Sequence, residues 1–192
     1  MLATLVYLAD LQAENFCGTC TLTAAQSGVD IASAALPRHI SLGTPLLVED
    51  MPFYISIAER VSQVLSPLHI ELTSSEAKRI NIGNKEACWL GFHYHEVPLL
   101  EKTRTLVSSA LCEQGFTLPS ADPIHGTRNL TLVTGTGDFT FYQAASDILS
   151  DHFAGKQLTF DKLGVFFYDA DTYRPDCNYF CCHRFQLKNN KL

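Results

Sequence analysis

Two short segments carry side chains suited to proton transfer and anion binding. In Arg38-His39-Ile40-Ser41-Leu42 an imidazole and a hydroxyl stand two residues apart; in Arg128-Asn129-Leu130-Thr131-Leu132 an amide and a hydroxyl repeat the pattern 90 residues later. A β-strand turns alternate side chains to opposite faces. His39 and Ser41 then share one face with Ile40 and Leu42 behind them, and Asn129 and Thr131 share a face with Leu130 and Leu132 behind. An imidazole titrating near neutrality takes or gives a proton. Adjacent hydroxyls donate hydrogen bonds to a phosphoryl oxygen. Set side by side, the two strands offer one anion a polar cleft that needs no metal, and no cofactor is expected.

The elements that must position these side chains repeat with them. A polar, glycine-containing turn follows each segment, then Phe53-Tyr54 or Phe141-Tyr142 opens a helix that ends near Val64-Leu65 or Ile148-Leu149. A new strand starts after each helix, at His69 and at Phe160. Two copies of strand, helix and strand imply two lobes related by a pseudo-two-fold axis, with repeats starting near residues 38 and 128. Around them the patterning predicts strands at Thr4–Ala9, His39–Leu42, His69–Thr73, Ile80–Ile82, Cys88–Tyr94, Asn129–Val133, Phe160–Tyr168 and Tyr179–Leu187. Helices are expected at Met51–Leu65, with Glu49 and Asp50 at its N-terminal end, at Pro98–Gln114 and at Phe139–Phe153. Leu99, Thr103, Leu106, Ala110 and Leu111 form the inner face of the second, which Gly115 ends. Residues 10–36 are weakly patterned and read as an insertion. The fold class is α+β: one domain over residues 1–192, two antiparallel sheets forming a central cleft, helices outside.

With the repeat in view, the chain resembles the two-histidine (2H) phosphoesterase superfamily, which contains RNA 2′,5′-ligase-like proteins and cyclic-nucleotide phosphodiesterases. The mark of that family is a His-x-(Ser/Thr)-hydrophobic strand, present twice. His39-Ile40-Ser41-Leu42 matches it in full, while Asn129 stands where the second histidine belongs. The resemblance implies that one histidine acts as general base, the other protonates the leaving oxygen, and the two hydroxyls of Ser41 and Thr131 hold the phosphate. Asparagine has no titrating group. Turnover should therefore be reduced or absent, with binding kept, whether Asn129 traps a ligand or marks a lost activity. A different register, His125-Gly126-Thr127, would restore a histidine with the same strand parity, but it places Arg128 at a hydrophobic position and a glycine inside the strand.

Other features bound the function. Arg38 and Arg128 lie beside the motif residues on the opposite parity, as lobe-packing residues or as substrate contacts. Tyr168, Tyr173 and Tyr179 are placed to stack on a base, or simply to pack. His69 reads as structural, and His93 with His95, sharing one strand face, as a solvated or cleft-wall pair without a third metal ligand. A net charge of −6 and a pI near 5.6 disfavour long nucleic acid. A small nucleotide or short oligonucleotide is the expected partner, with no membrane, for a monomer. Seven cysteines without a secretory leader suggest reduced thiols and an intracellular, cytoplasmic location. Two alternatives stand beside the phosphodiesterase: a non-catalytic nucleotide or RNA-end binding module, and a zinc- or thiol-dependent protein using Cys17, Cys20 and the group Cys177–Cys182.

Overall fold

A computed structural model describes residues 1–31, 37–82, 85–119, 126–153, 155–169 and 179–188. Its first half runs β1 (Leu2–Ala9), α1 (Leu11–Gln26), β2 (His39–Ser41), the short β3 (Leu46–Leu47), α2 (Met51–Ser62) and β4 (Leu68–Ile82). The second half runs β5 (Lys85–Tyr94), α3 (Pro98–Glu113), β6 (Asn129–Gly135), α4 (Phe139–Phe153) and β7 (Gln157–Tyr168), and β8 (Tyr179–Gln186) closes the described chain. Omitting β3 and β8, each half reads strand, helix, strand, helix, strand. Residues 10–36, expected to be an insertion, contain α1, which holds the place in the first half that α3 holds in the second.

The strands line up in the order β2-β1-β7-β4-β5-β6, with β3 beside β1 and β8 beside β7, and every pairing is antiparallel. Lobe one is built on β2, β1 and β7, lobe two on β4, β5 and β6. They join where the first residues of β4 meet those of β7, Leu68 opposite Phe160 and Glu71 opposite Gln157. Beyond the irregularity between Leu72 and Ser74, β4 turns to β5 instead. This corrects the expectation of two strands at 69–73 and 80–82. The polar run Ser74–Arg79 looks like a loop, yet it is the half-solvated part of one long strand, held there by its pairing with β5.

Helix ends follow local chemistry. Asp10 Oδ1 accepts from Ala13 N at 2.7 Å and Asp50 Oδ1 from Phe53 N at 3.0 Å, capping α1 and α2. Gly115, at φ +87°, takes the left-handed turn after α3. The inner face of α3 is Leu100, Thr103, Arg104, Val107 and Leu111, whereas Leu106 is 38% exposed and Leu99 only half-buried. The apolar spacing misled because the largest fully buried side chain of this helix is an arginine. Helix α1 escaped notice because it is rich in small and neutral residues; it buries Ala13, Cys17, Cys20, Thr21 and Ala24. One contiguous core takes residues from both lobes and all four helices, including Ile40, Leu42, Leu130 and Leu132.

Candidate active site

Strands β2 and β6 end the strand order on opposite sides, yet residues of the two come within 8 Å of each other, Cα to Cα. The sheet thus curls until its two edges meet. Ile40, Leu42, Leu130 and Leu132 are at most 1% exposed and lie in the shared core. His39, Ser41, Asn129 and Thr131 are half-buried on the other face. The alternation therefore brings the four expected residues to adjoining strands, all turned away from the core.

Two buried arginines hold the edges together. Arg38 Nη1 donates to the Leu132 carbonyl at 2.7 Å and Nη2 to Thr21 Oγ1 at 2.6 Å. Arg104, 1% exposed, donates from Nε and Nη2 to the Ser41 carbonyl at 3.4 and 3.3 Å and from Nη1 to the Thr127 carbonyl at 3.2 Å. Its Nη1 also meets Glu101 Oε1 at 2.7 Å. Sequence alone does not single out Arg104, since nothing in a helical pattern distinguishes a buried arginine from a solvated one. Arg38 takes the lobe-packing role, with both terminal nitrogens bound to protein. Arg128 is exposed and paired with Glu96 at 2.8 Å.

His39 is oriented by its own backbone. Its Nδ1 lies 3.0 Å from the Pro37 carbonyl, which can only accept, so the ring carries its hydrogen on Nδ1 and leaves Nε2 as a base. Phe166 of β7 packs edge-on against the ring, centroid to centroid 4.6 Å. Burial, with a contribution from the charge of Arg38, lowers its pKa below the usual 6.5 despite the opposing hydrogen bond to Pro37. The imidazole is neutral at pH 7.

Thr131 is prepared by a residue that the sequence does not flag. Trp89 Nε1 donates to Thr131 Oγ1 at 2.8 Å, which leaves the hydroxyl hydrogen for another acceptor. The indole can lie there because Gly91 sits between them: a Cβ at residue 91 would fall 2.4 Å from Trp89 Cζ2 and 2.4 Å from the Leu130 carbonyl. Beyond Trp89, Lys78 Nζ stands 4.4 Å over the ring and 3.4 Å from Glu76 Oε2, and Glu76 Oε2 lies 2.9 Å from His93 Nε2.

The remaining sequence candidates separate. His125, Tyr173 and Cys177 lie outside the described residues, while Thr127 Oγ1 accepts from Arg104 Nη2 at 3.3 Å. Tyr168 is buried at the end of β7, and Tyr179 opens β8 opposite it. His69 Nδ1 pairs with Thr159 Oγ1 across two strands at 3.0 Å, a structural role. His95 lies past the end of β5 and is exposed, so His93 and His95 do not share a strand face as expected. Cys17 and Cys20 are 0% exposed and burial pushes both thiols up to about 12, whereas zinc takes a thiolate. Among the described residues no group of three or more His, Cys, Asp and Glu side chains could hold a metal ion. No described helix is long and apolar enough to cross a membrane.

No family model and no curated protein matches the sequence. Solved structures do match the fold. The chain aligns over 99% of its length with TT0787 of Thermus thermophilus, covering 100% of that chain at 12% identity and a TM-score of 0.62. It aligns over 97% with E. coli LigT complexed with 3′-AMP, covering 99% of that chain at 14% identity and a TM-score of 0.54. The crystal structure of a phosphoesterase matches over 97% of both chains at 14% identity and a TM-score of 0.52. The chain shares the two-lobed α+β fold of these structures.

Proposed function

We propose that this chain is a phosphodiesterase of the two-histidine type acting on a small cyclic or 2′,5′-linked nucleotide. His39 Nε2 takes the proton of the attacking water, and the hydroxyls of Ser41 and Thr131 hold the phosphate. The observation that carries this reading is the meeting of two sheet edges, with a neutral imidazole and two hydroxyls turned to the same open side. Phosphoryl transfer asks a protein chiefly for position and hydrogen bonding at the anion, which this arrangement supplies. The LigT structure named above holds 3′-AMP, which makes a 3′-nucleotide the natural binding probe.

The test is a panel of 2′,3′-cyclic nucleotides and 2′,5′-linked oligoadenylates, with and without His39→Gln. Loss of a general base costs about 10²–10⁴ in rate. An unchanged rate in that variant would remove His39 from the chemistry. A second reading, a nucleotide-binding module without turnover, is favoured by Asn129, which cannot exchange a proton; calorimetric binding of 3′-AMP without hydrolysis of any panel member would select it.

A further inference from the structure

The two halves place their imidazoles on different strands of equivalent pairs. In lobe one His39 of β2 stands opposite Leu8 of β1; in lobe two Asn129 of β6 stands opposite His93 of β5. The backbone bonding is the same at both sites: Ala9 N donates to the Arg38 carbonyl at 3.0 Å and Tyr94 N to the Arg128 carbonyl at 3.1 Å. Those bonds mark non-hydrogen-bonded pairs, the kind whose side chains approach most closely, with Cα atoms roughly 4.5 Å apart. Half one thus carries its imidazole on the outer strand and an apolar residue on the inner. Half two carries an amide on the outer strand and an imidazole on the inner.

We propose that His93 supplies the second proton-transfer group of the site, the one Asn129 cannot supply. This deepens the phosphodiesterase reading and rests on it. His93 lies on the open face with Trp89, Asn129 and Thr131, two residues along β5 from Gly91, which pairs with Thr131. It is not free to swing. Glu76 on β4, opposite Gly91, takes the Nε2 hydrogen at 2.9 Å. Burial raises the Glu76 pKa, but the hydrogen bond from His93 and the charge of Lys78 outweigh it and hold the carboxyl below its usual range, so it accepts and does not donate. Nδ1 of His93 is then the nitrogen left to face a ligand. Glu76 and Lys78 are the charged groups that β4 turns towards this ring.

The step balances without a co-reactant other than water. Water oxygen bonds to phosphorus as its proton passes to His39 Nε2. The bond from phosphorus to the leaving oxygen breaks, and that oxygen takes the Nδ1 proton of a His93 that carries hydrogen on both nitrogens. Solvent exchange then returns one proton to His93 and removes one from His39. Glu76 acts as a positioning residue, since it touches the ring and not the phosphate.

The experiment measures hydrolysis of a 2′,3′-cyclic nucleotide by the full chain and by His39→Gln, His93→Gln, Glu76→Gln, His95→Gln and the double variant His93→Gln with Asn129→His. Circular dichroism and calorimetric binding of 3′-AMP follow each variant. The proposal expects turnover by the unaltered chain and a loss of about 10²–10⁴ in His93→Gln with 3′-AMP still bound. His95→Gln should match the unaltered chain, and the double variant should regain activity over His93→Gln. Glu76→Gln should lower kcat more than it changes KM and move the limb of the pH profile that reports the acid. A His93→Gln rate equal to that of the unaltered chain, while His39→Gln is impaired, overturns the proposal and leaves the phosphodiesterase reading standing. An unaltered chain that binds 3′-AMP without hydrolysing any substrate also overturns it; one that neither binds nor hydrolyses brings down both.

Discussion

Replacing Arg104 by methionine tests how the two motif strands are held. The guanidinium is 1% exposed and serves four acceptor atoms in three residues, so the size of the effect depends on which of them matters. Glu101 is 36% exposed and its partnership with Arg104 is screened; pairs of that kind contribute about 0–1 kcal/mol. The Ser41 carbonyl has no such escape, whereas the Thr127 carbonyl keeps the Tyr94 hydroxyl at 3.4 Å. A carbonyl left without a donor costs about 1–3 kcal/mol, with Ser41 at the low end because its contacts are 3.3 and 3.4 Å, and the Thr127 carbonyl adds less because a donor remains. Methionine keeps most of the volume, so no large cavity term is added. The expected loss is about 1–3 kcal/mol, or a fall in urea midpoint of roughly 0.5–1.5 M at a slope near 2 kcal/mol/M. Glu101→Gln should cost about 0–1 kcal/mol in the same assay. An Arg104→Met protein within about 0.5 kcal/mol of the parent, or a Glu101→Gln protein as unstable as Arg104→Met, would refute the view that stranded carbonyls set the cost.

Four further outcomes follow from the site. Gly91→Ala should drive Trp89 from Thr131, because the new methyl meets both ring and backbone at 2.4 Å; overpacking of this kind costs about 1–3 kcal/mol, read by denaturation and by a shift in the fluorescence of Trp89, the chain's one tryptophan. For the same reason 3′-AMP binding should change that fluorescence, and an unaltered spectrum at saturation would place the nucleotide away from Thr131. The lowered pKa of His39 means that the ring is still mostly neutral at pH 6.5, so the base limb of kcat/KM should fall only at a pH under 6.5. A ring that resists protonation in the folded state adds no pH dependence to stability well above 6.5, and stability is lost as pH falls below 6.5 and through the lowered folded value. A His39→Gln protein should lack that part of the acid sensitivity, measured as melting temperature against pH.

Much of the arrangement was legible in the sequence because strand alternation is a local rule. Ile40 and Leu130 needed only their own neighbours to be assigned to the core, and His39 and Ser41 followed to the other face. The helices α2 and α4, each following a motif strand, repeat with similar openings, and from that repeat the two lobes could be read. What escaped was set by partners distant in sequence. Trp89 orients Thr131 from 42 residues away, and Arg104 reaches Ser41 across 63. Ser74–Arg79 reads as polar loop until β5 is laid beside it. Helix α1 hides because alanine, cysteine and threonine bury well without an apolar stripe of large residues. His93 was seen, but only as part of a pair with His95; its value lies in the residue it faces on β6, and no spacing within its own strand reveals that.

The buried arginines also explain why the site can exist at a seam. β2 bonds to β1 on one side and β6 to β5 on one side, so among the described residues each turns its other edge to its counterpart. Edges that meet out of water must satisfy their carbonyls or pair as a ladder. A ladder would draw the strands to about 4.8 Å and close the polar face like any other sheet surface. Arg38 and Arg104 satisfy the carbonyls of Leu132, Ser41 and Thr127 from the core side instead, with long side chains that span the gap. The edges then stay close enough to share an anion without forming a continuous sheet. On this argument a lysine at either position keeps the charge but not the fork that reaches two strands. Arg104→Lys should therefore lose nucleotide affinity before it loses its fold, a split visible when 3′-AMP titration and urea midpoints are measured on the same preparation. Affinity and stability falling in strict proportion would show that the arginine only props the core and does not set the width of the seam.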